Sequence, residues 1–223
     1  MKEYKISKSI RWSGKITDRV AAVCRMFGLT AQQLRERGLT QNCRLRIEAG
    51  DIVYITGPSG AGKSVLLKEL QKCIPSAKRV NLDQIPLPAD KAVIDLMPAN
   101  LEMLGALKLL TTAGLSDVYC VLNQPANLSE GEKYRYRLAM ALGAGKEFVF
   151  ADEFCCGLDR ITASVIAYNI NRFARETGVT FILASSTDDI LADLMPQVLV
   201  HAELNGNIDV VYRNLSRLET REV

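Results

Sequence analysis

The phosphate-loop pattern at residues 57–64 constrains this chain more than any other feature. These residues read Gly-Pro-Ser-Gly-Ala-Gly-Lys-Ser and match G-x-x-x-x-G-K-[ST] at every fixed position. In such a loop, glycines let backbone N–H groups face phosphate oxygens, Lys63 adds a positive charge, and Ser64 offers a hydroxyl to magnesium. The pattern therefore predicts a site for a nucleoside triphosphate. The predicted contacts in and directly after the loop are Gly57, Pro58, Ser59, Gly60, Ala61, Gly62, Lys63, Ser64 and Val65.

The residues on either side of the loop support this prediction. Residues 51–56 form a β-rich apolar run, which is typical of a strand buried in a parallel sheet. After the loop, apolar residues from Val65 to Cys73 recur at helical spacing. Strand, loop and helix is the order in which this pattern occurs in nucleotide-binding folds.

Composition indicates one globular domain over residues 1–223. The chain is 48% apolar and 24% charged, and its formal net charge of +3 neither requires nor excludes nucleic acid. It has six cysteines without C-x-x-C spacing and one histidine, so we do not expect a zinc site. No apolar run is long enough for a bilayer, and no secretory signal is recognised. We therefore expect a cytoplasmic protein with reduced thiols and no direct insertion into a membrane.

Hydrophobic spacing predicts an α/β chain with a β-rich N-terminal part and a helical subdomain at about residues 86–145. Thr30 and Gln33 have the spacing of a capping box, for a short helix that ends near Gly38. Asn205-Gly206 is a typical hairpin turn. The predicted strands are 2–7, 45–48, 51–56, 80–83, 148–151, 181–184, 198–204 and 208–212, and the predicted helices include 17–27, 100–113 and one through Leu142.

A second motif places two carboxylates side by side. Residues 148–151 are a short apolar run, and Asp152 and Glu153 follow it directly. Because neighbouring side chains of a strand face different directions, the two acids can take different roles. Asp152 is a candidate magnesium ligand, and Glu153 is a candidate general base that polarises an attacking water.

Three further motifs occur in a characteristic order around this strand. Residues 128–132 read Leu-Ser-Glu-Gly-Glu and begin a helix, Gly157-Leu158-Asp159 follows the two carboxylates, and Gln84 follows a short predicted strand. Together with the phosphate loop, this order resembles the signature, D-loop and Q-loop of the ABC-type ATPases over about residues 45–190. The resemblance implies the ABC-type P-loop NTPase fold, an α/β fold with a mixed β-sheet core.

The resemblance also implies a mechanism that uses ATP and magnesium. In that family, two subunits sandwich two ATP molecules between the phosphate loop of one and the signature of the other, so we expect a homodimer in the ATP state. Ser129 and Gly131 would contact the nucleotide in trans, and Asp159 would reach the opposite subunit. The remaining roles implied by the resemblance are magnesium coordination by Ser64, Gln84 and Asp152, nucleotide contact by Gln84 and Asp159, and catalysis by Glu153, Lys63 and Ser186.

Several residues depart from the family's pattern. The first signature glycine is Glu130, whose carboxylate would repel the γ-phosphate unless it turns away. The switch histidine expected after strand 181–184 is absent; Ser186 aligns best with it, Ser185 is the alternative, and His201 lies too far along the chain. A serine hydroxyl has a shorter reach than imidazole and no positive charge, which favours slow hydrolysis.

For the aromatic residue that stacks on adenine, Phe27 is the candidate. Its alternative role is core packing on an amphipathic helix, and Tyr4 is a second candidate.

The motifs leave three biological roles open. The segments at 81–88 and 151–155 look like those of a soluble, non-transporter ABC group, some of whose members are fused to an acetyltransferase-like domain; this is the first interpretation. The second is the nucleotide-binding subunit of an ABC transporter. The third is a nucleic-acid-associated ATPase, suggested by basic residues near the N-terminus. Each role allows an unidentified protein partner.

Overall fold

A six-stranded mixed sheet lies at the centre of the fold. The computed structural model describes residues 1–36 and 38–213. The strand order is β4-β5-β6-β3-β7-β8, in which β8 is antiparallel to β7 and all other neighbours are parallel. The strands are β3 (Ile52–Thr56), β4 (Arg79–Asn81), β5 (Phe148–Ala151), β6 (Thr180–Ala184), β7 (Val198–Ala202) and β8 (Ile208–Tyr212).

Both faces of this sheet are buried, because successive side chains enter two different apolar clusters. Ile52 and Tyr54 of β3 belong to a cluster shared with most of the helices, whereas Val53 and Ile55 belong to a cluster on the other face. All four side chains are fully buried. A parallel sheet that is covered on both faces is what the apolar run 51–56 predicts.

A two-stranded antiparallel sheet covers one side of the molecule. It pairs β1 (Lys2–Arg11) with β2 (Gly38–Ile47) along their whole length. Ile6 and Leu45 pack from it into the second apolar cluster. The β-rich N-terminal part is therefore confirmed, and both strands are longer than their apolar runs, because paired strands continue through polar, solvent-facing positions.

Two short helices connect β1 to β2. They are α1 (Asp18–Met26), which is capped by Thr17, and α2 (Ala31–Glu36). The predicted capping box is confirmed: Thr30 N donates to Gln33 Oε1 at 2.8 Å, and Gln33 N donates to Thr30 Oγ1 at 3.1 Å.

All regular secondary structure between β4 and β5 is helical, in agreement with the helices predicted for residues 86–145. Its helices pack on the first apolar cluster. No helix in the described part of the chain is both long and apolar enough to cross a membrane. The helices that follow the phosphate loop are α3 (Lys63–Lys72), α4 (Val93–Leu96), α5 (Met103–Thr112), α6 (Val118–Leu122), α7 (Glu130–Gly143), α8 (Arg160–Thr177) and α9 (Leu191–Leu194).

Local geometry moves three predicted boundaries. Residues 82–84 form a 3-10 turn instead of continuing β4, because Asn81 caps that turn by accepting from Asp83 N at 2.9 Å. The helix predicted at 100–113 is confirmed in its central part, Met103–Thr112. The predicted hairpin is also confirmed, but Glu203 N bonds to Asn207 O at 3.0 Å, so Asn205-Gly206 forms the tip of a loop wider than a two-residue turn.

Candidate nucleotide site

The phosphate loop has a backbone that requires its glycines. Gly60 and Gly62 have φ values of 84° and 85°, in the left-handed region that other residues seldom adopt. Gly62 is also the N-cap of α3, so the free N–H groups of that helix begin at the loop. At Gly57 a side chain is excluded, because an added Cβ would lie 2.1 Å from the carbonyl oxygen of Ala202.

Two side chains hold this loop in shape. Lys63 Nζ donates to the carbonyl oxygen of Gly57 at 2.8 Å and to that of Pro58 at 3.0 Å. The Gln41 side chain from β2 is fully buried, and its Nε2 donates to the carbonyl oxygen of Ala61 at 2.7 Å. The N-terminal sheet thus supports the loop directly, a contact that the motif's spacing does not reveal.

The loop forms one wall of a cleft of about 380 Å³. Lys63 and Ser64 line this wall, and Asp152, Glu153 and Ser186 line the opposite side. The carboxyl ends of parallel strands β3, β5 and β6 meet at this edge of the sheet, which is where open α/β sheets bind ligands. The fold therefore brings into one cleft the phosphate-binding loop, the candidate magnesium ligands Ser64 and Asp152, and the candidate general base Glu153.

The donor set of the cleft fits magnesium bound together with phosphate. Ser64 supplies a hydroxyl and Asp152 a half-buried carboxylate, and both line the cleft. The described residues contain no group of three or more His, Cys, Asp or Glu side chains that could hold a metal without other ligands. Magnesium in phosphate sites is usually held by one or two protein oxygens, with phosphate and water supplying the rest.

The loop that carries Glu153 adopts an uncommon backbone. Glu153 and Cys155 have φ values of 48° and 60°, a region that costs most residues roughly 1–2 kcal/mol. Two backbone hydrogen bonds hold this loop: Phe154 N donates to Ala184 O at 2.8 Å, and Cys155 N donates to the Tyr134 hydroxyl at 3.1 Å. A proline at position 154 would have no N–H for the first of these bonds.

The two serines after β6 differ in burial and in hydrogen bonding. Ser185 is only 1% exposed, its Oγ lies 3.1 Å from Cys156 Sγ and Thr187 Oγ1, and it accepts from Thr187 N at 3.3 Å. Ser186 is exposed, and both serines line the cleft. The Ser185 hydroxyl already has internal hydrogen-bond partners, whereas Ser186 is the more accessible of the two; which of them takes the place of the switch histidine stays a prediction. His201 lies on β7, exposed and outside the lining of the cleft.

A second cleft, of about 390 Å³, adjoins the two carboxylates. Asp83, Asp152, Glu153 and Arg137 line it. Desolvation raises the pKa of the Asp83 carboxyl, the charges of Asp152 and Glu153 raise it further, and the Arg137 guanidinium opposes them. No motif in the sequence pointed to Asp83, although it stands directly before Gln84.

Helix α7 begins at the predicted signature with a complete capping box. Ser129 N donates to Glu132 Oε2 at 2.8 Å, and Glu132 N donates to Ser129 Oγ at 3.4 Å. Glu130 Oε1 pairs with Lys133 Nζ at 2.8 Å, which lowers the pKa of the Glu130 carboxyl. The carboxylate in the first glycine position therefore folds back along its own helix.

Gln84 and Asp159 lie outside the phosphate cleft. Gln84 is exposed at the end of the 3-10 turn and lines neither cleft. Asp159 is the N-cap of α8, where its Oδ1 accepts from Thr162 N at 3.0 Å. Their roles toward magnesium and the opposite subunit stay predictions.

The structure does not bring either predicted aromatic residue to the cleft. Phe27 is 76% exposed at the end of α1. Tyr4 lies near Phe148 and Thr180, the first residues of their strands, and hence at the edge opposite the phosphate loop.

The fold is that of the ABC ATPase cassettes, and the site resembles the nucleotide site of that class of ATPase, which works with ATP and magnesium. The family model described as "ABC transporter" matches residues 40–108. This match covers most of β2, the phosphate loop, α3 and the Gln84 turn.

Similar proteins of known description are methionine import ATP-binding proteins. The chain is 27% identical over 212 residues to the methionine import ATP-binding protein MetN of Mannheimia succiniciproducens, covering 80% of this chain and 60% of that protein. It is 28% identical over 197 residues to MetN 1 of Lactiplantibacillus plantarum, covering 73% and 55% respectively. The chain thus spans less than two thirds of the length of these curated relatives.

Solved cassettes share the fold. A dimeric structure of MJ0796, a bacterial ABC transporter cassette, has a TM-score of 0.65 and 18% identity, covering 81% of this chain and 94% of that one. A post-hydrolysis dimer of the same cassette bound to ADP and Pi has a TM-score of 0.65 and 19% identity, over the same shares of the two chains.

Proposed function

We propose that this protein binds ATP with magnesium and hydrolyses it slowly, through an ATP-sandwich dimer that drives a partner protein. The observation that carries this proposal is the single cleft that joins the phosphate loop to Asp152 and Glu153. Lys63 and the N–H groups at the start of α3 bind phosphate, and Ser64 and Asp152 hold magnesium. Magnesium, when bound, neutralises phosphate charge, while Glu153 orients the attacking water and accepts its proton.

We further propose that the partner is a membrane transport component, so that the chain is the nucleotide-binding subunit of an ABC transporter. The MetN relatives and the matched family model support this role over a soluble one. The identities of 27–28% leave the transported substrate undefined.

A soluble ATP-gated clamp is the second candidate. It is favoured by the exposed serine that stands in place of the switch histidine and by Glu130 in the signature. The fusion to an acetyltransferase-like domain, expected for some members of the soluble group, stays a prediction. The nucleic-acid role stays a prediction; of the basic residues near the N-terminus, Lys8 pairs with Glu69 at 3.3 Å, which offsets its charge.

The experiment for the ATPase proposal compares three variants. Glu153→Gln should retain ATP binding and lose hydrolysis by at least about 100-fold, because it keeps the shape but removes the base. Lys63→Ala should weaken binding by about 1.5–3 kcal/mol, the value of a hydrogen bond to a charged group.

Lys68→Ala is the control, since Lys68 is exposed on the same helix and lies outside the cleft. Calorimetry and phosphate release provide the measurements; equal ATP affinity in wild type and Lys63→Ala would contradict the proposal.

The partner is tested by fractionating the native host. A transporter subunit should sediment with membranes and be released by alkaline carbonate, which strips peripheral proteins. Complete recovery in the soluble fraction before that treatment would favour the clamp.

A further inference from the structure

Helix α7 bonds to both loops that border the second cleft. Near its N-terminus, the Tyr134 hydroxyl accepts from Cys155 N at 3.1 Å and lies 3.9 Å from Cys155 Sγ. One turn later, Arg137 Nε donates to the carbonyl oxygen of Ile85 at 3.1 Å. The two contacts join the signature helix to the loop after Glu153 and to the loop after Gln84.

The Tyr134 contact acts on the backbone that aims Glu153. Glu153 occupies the left-handed region, and the residue two positions later does so as well. Such a conformation persists only where surrounding contacts hold it. Tyr134 supplies one of those contacts, and its ring packs edge-to-face on Phe154 with centroids 6.5 Å apart. The tyrosine therefore contacts both residues that follow the base.

The Arg137 contact acts on the other side of the same cleft. Its guanidinium bonds to the Ile85 carbonyl while facing the charge of Asp83. Both Arg137 and Tyr134 line the cleft together with Asp152 and Glu153. A displacement of α7 would therefore move both loops at once.

We propose that Tyr134 and Arg137 are positioning residues that set the geometry of Glu153 within their own subunit. This inference rests on the proposed ATPase function and adds a second role for α7, whose first residues are assigned to the nucleotide of the opposite subunit. Docking of α7 on that nucleotide would then align the base in its own chain, so that the two sites of the dimer hydrolyse in a coupled manner.

The chain offers a matched pair of tyrosines to test this inference. Tyr134→Phe removes only the hydroxyl that accepts from Cys155. Tyr136→Phe is the control, because Tyr136 lies two residues further on α7, is buried, and makes no side-chain hydrogen bond within the described residues. Arg137→Met removes the other contact and keeps the length of the stem. Thermal unfolding and ATP affinity are measured first, followed by the single-turnover hydrolysis rate.

We expect Tyr134→Phe to slow single turnover by at least about fivefold, the effect of one lost hydrogen bond, with ATP affinity unchanged and Tyr136→Phe equal to wild type. Arg137→Met should act in the same direction, and the double variant should lose less than the product of the single effects. Wild-type rates in Tyr134→Phe and Arg137→Met, or equal slowing in both tyrosine variants, would overturn the inference. If Tyr134→Phe fails to fold, the rate of Arg137→Met decides by the same criteria.

The outcomes also separate this inference from the proposed function. An active wild type whose rate is insensitive to both positioning substitutions refutes only the role of α7. A wild type that neither binds nor hydrolyses ATP refutes the ATPase proposal as well.

Discussion

At the residue scale, Asp83 lies close to the two carboxylates of the site. Its carboxyl shares a cleft with Asp152 and Glu153, and its pKa is raised, first by desolvation and then by those two charges. A carboxyl with a raised pKa in the folded state binds its proton more tightly there than in the unfolded chain. It therefore favours the folded state below its ordinary titration range, and that stabilisation is lost as pH rises through the raised value.

Replacing Asp83 should therefore change stability in a pH-dependent way. Without nucleotide, we expect Asp83→Asn to have a higher Tm than wild type at neutral pH, because it removes a charge from a crowded cleft. The difference should shrink as pH falls and vanish below the ordinary range of an aspartate. Differential scanning calorimetry measures it, with Asp90→Asn, at an exposed position outside the cleft, as the control. A Tm difference independent of pH would contradict the electrostatic explanation.

At the element scale, the loop after β6 places two neighbouring serines in different surroundings. Ser185 is buried among Cys156 and Thr187, whereas Ser186 is exposed in the phosphate cleft. Tyr54 and Thr56 of β3 fix the end of the loop through hydrogen bonds of 2.5 Å each, the tyrosine hydroxyl to Thr187 O and the threonine hydroxyl to Asp188 Oδ1. These hydrogen bonds hold the loop in place, and Ser186 is the more exposed of the two serines that line the cleft.

Single-turnover kinetics should separate the two serines. We expect Ser186→Ala to slow hydrolysis by about five- to tenfold with ATP binding intact, because one hydrogen bond to the phosphate or water is lost. Ser185→Ala should chiefly lower the Tm, by removing the partner of buried groups. Ser186→His should accelerate hydrolysis. An unchanged rate in Ser186→Ala would show that Ser186 does not take the place of the histidine.

The sequence predicted those elements whose local signals agree with their tertiary setting. The phosphate loop, the strand before Asp152 and the capping box at Ser129 each carry short-range patterns, so their place in the fold follows from the chain alone. The support of the loop by Gln41 depends on pairing across the molecule, and no local pattern encodes it.

The same distinction applies to the two aromatic candidates for adenine stacking, whose role stays a prediction. Tyr4 and Phe27 were chosen for residue type and spacing, whereas the structure places Tyr4 at the edge of the sheet opposite the phosphate loop and leaves Phe27 exposed at the end of α1. Asp83 and Arg137 gain their roles only because the 3-10 turn and α7 meet beside the carboxylates.

At the scale of the whole molecule, a single chain contains only half of each proposed ATP site. Ser129 lies outside the phosphate-loop cleft of its own chain, at the start of α7. In the proposed dimer, this helix would close over the nucleotide of the partner. Through its contacts with Phe154 and Cys155, Tyr134 would then position Glu153 of its own chain.

The most direct test of this account is the mass of the Glu153→Gln variant in solution with and without magnesium and ATP, measured by light scattering after size exclusion. The account predicts a monomer of 24.6 kDa without nucleotide and a species of twice that mass at saturating ATP, since ATP persists when the base is absent. The double variant Lys63→Ala, Glu153→Gln should stay monomeric in both conditions. A Glu153→Gln protein that remains monomeric at saturating ATP and high micromolar concentration would contradict the sandwich mechanism.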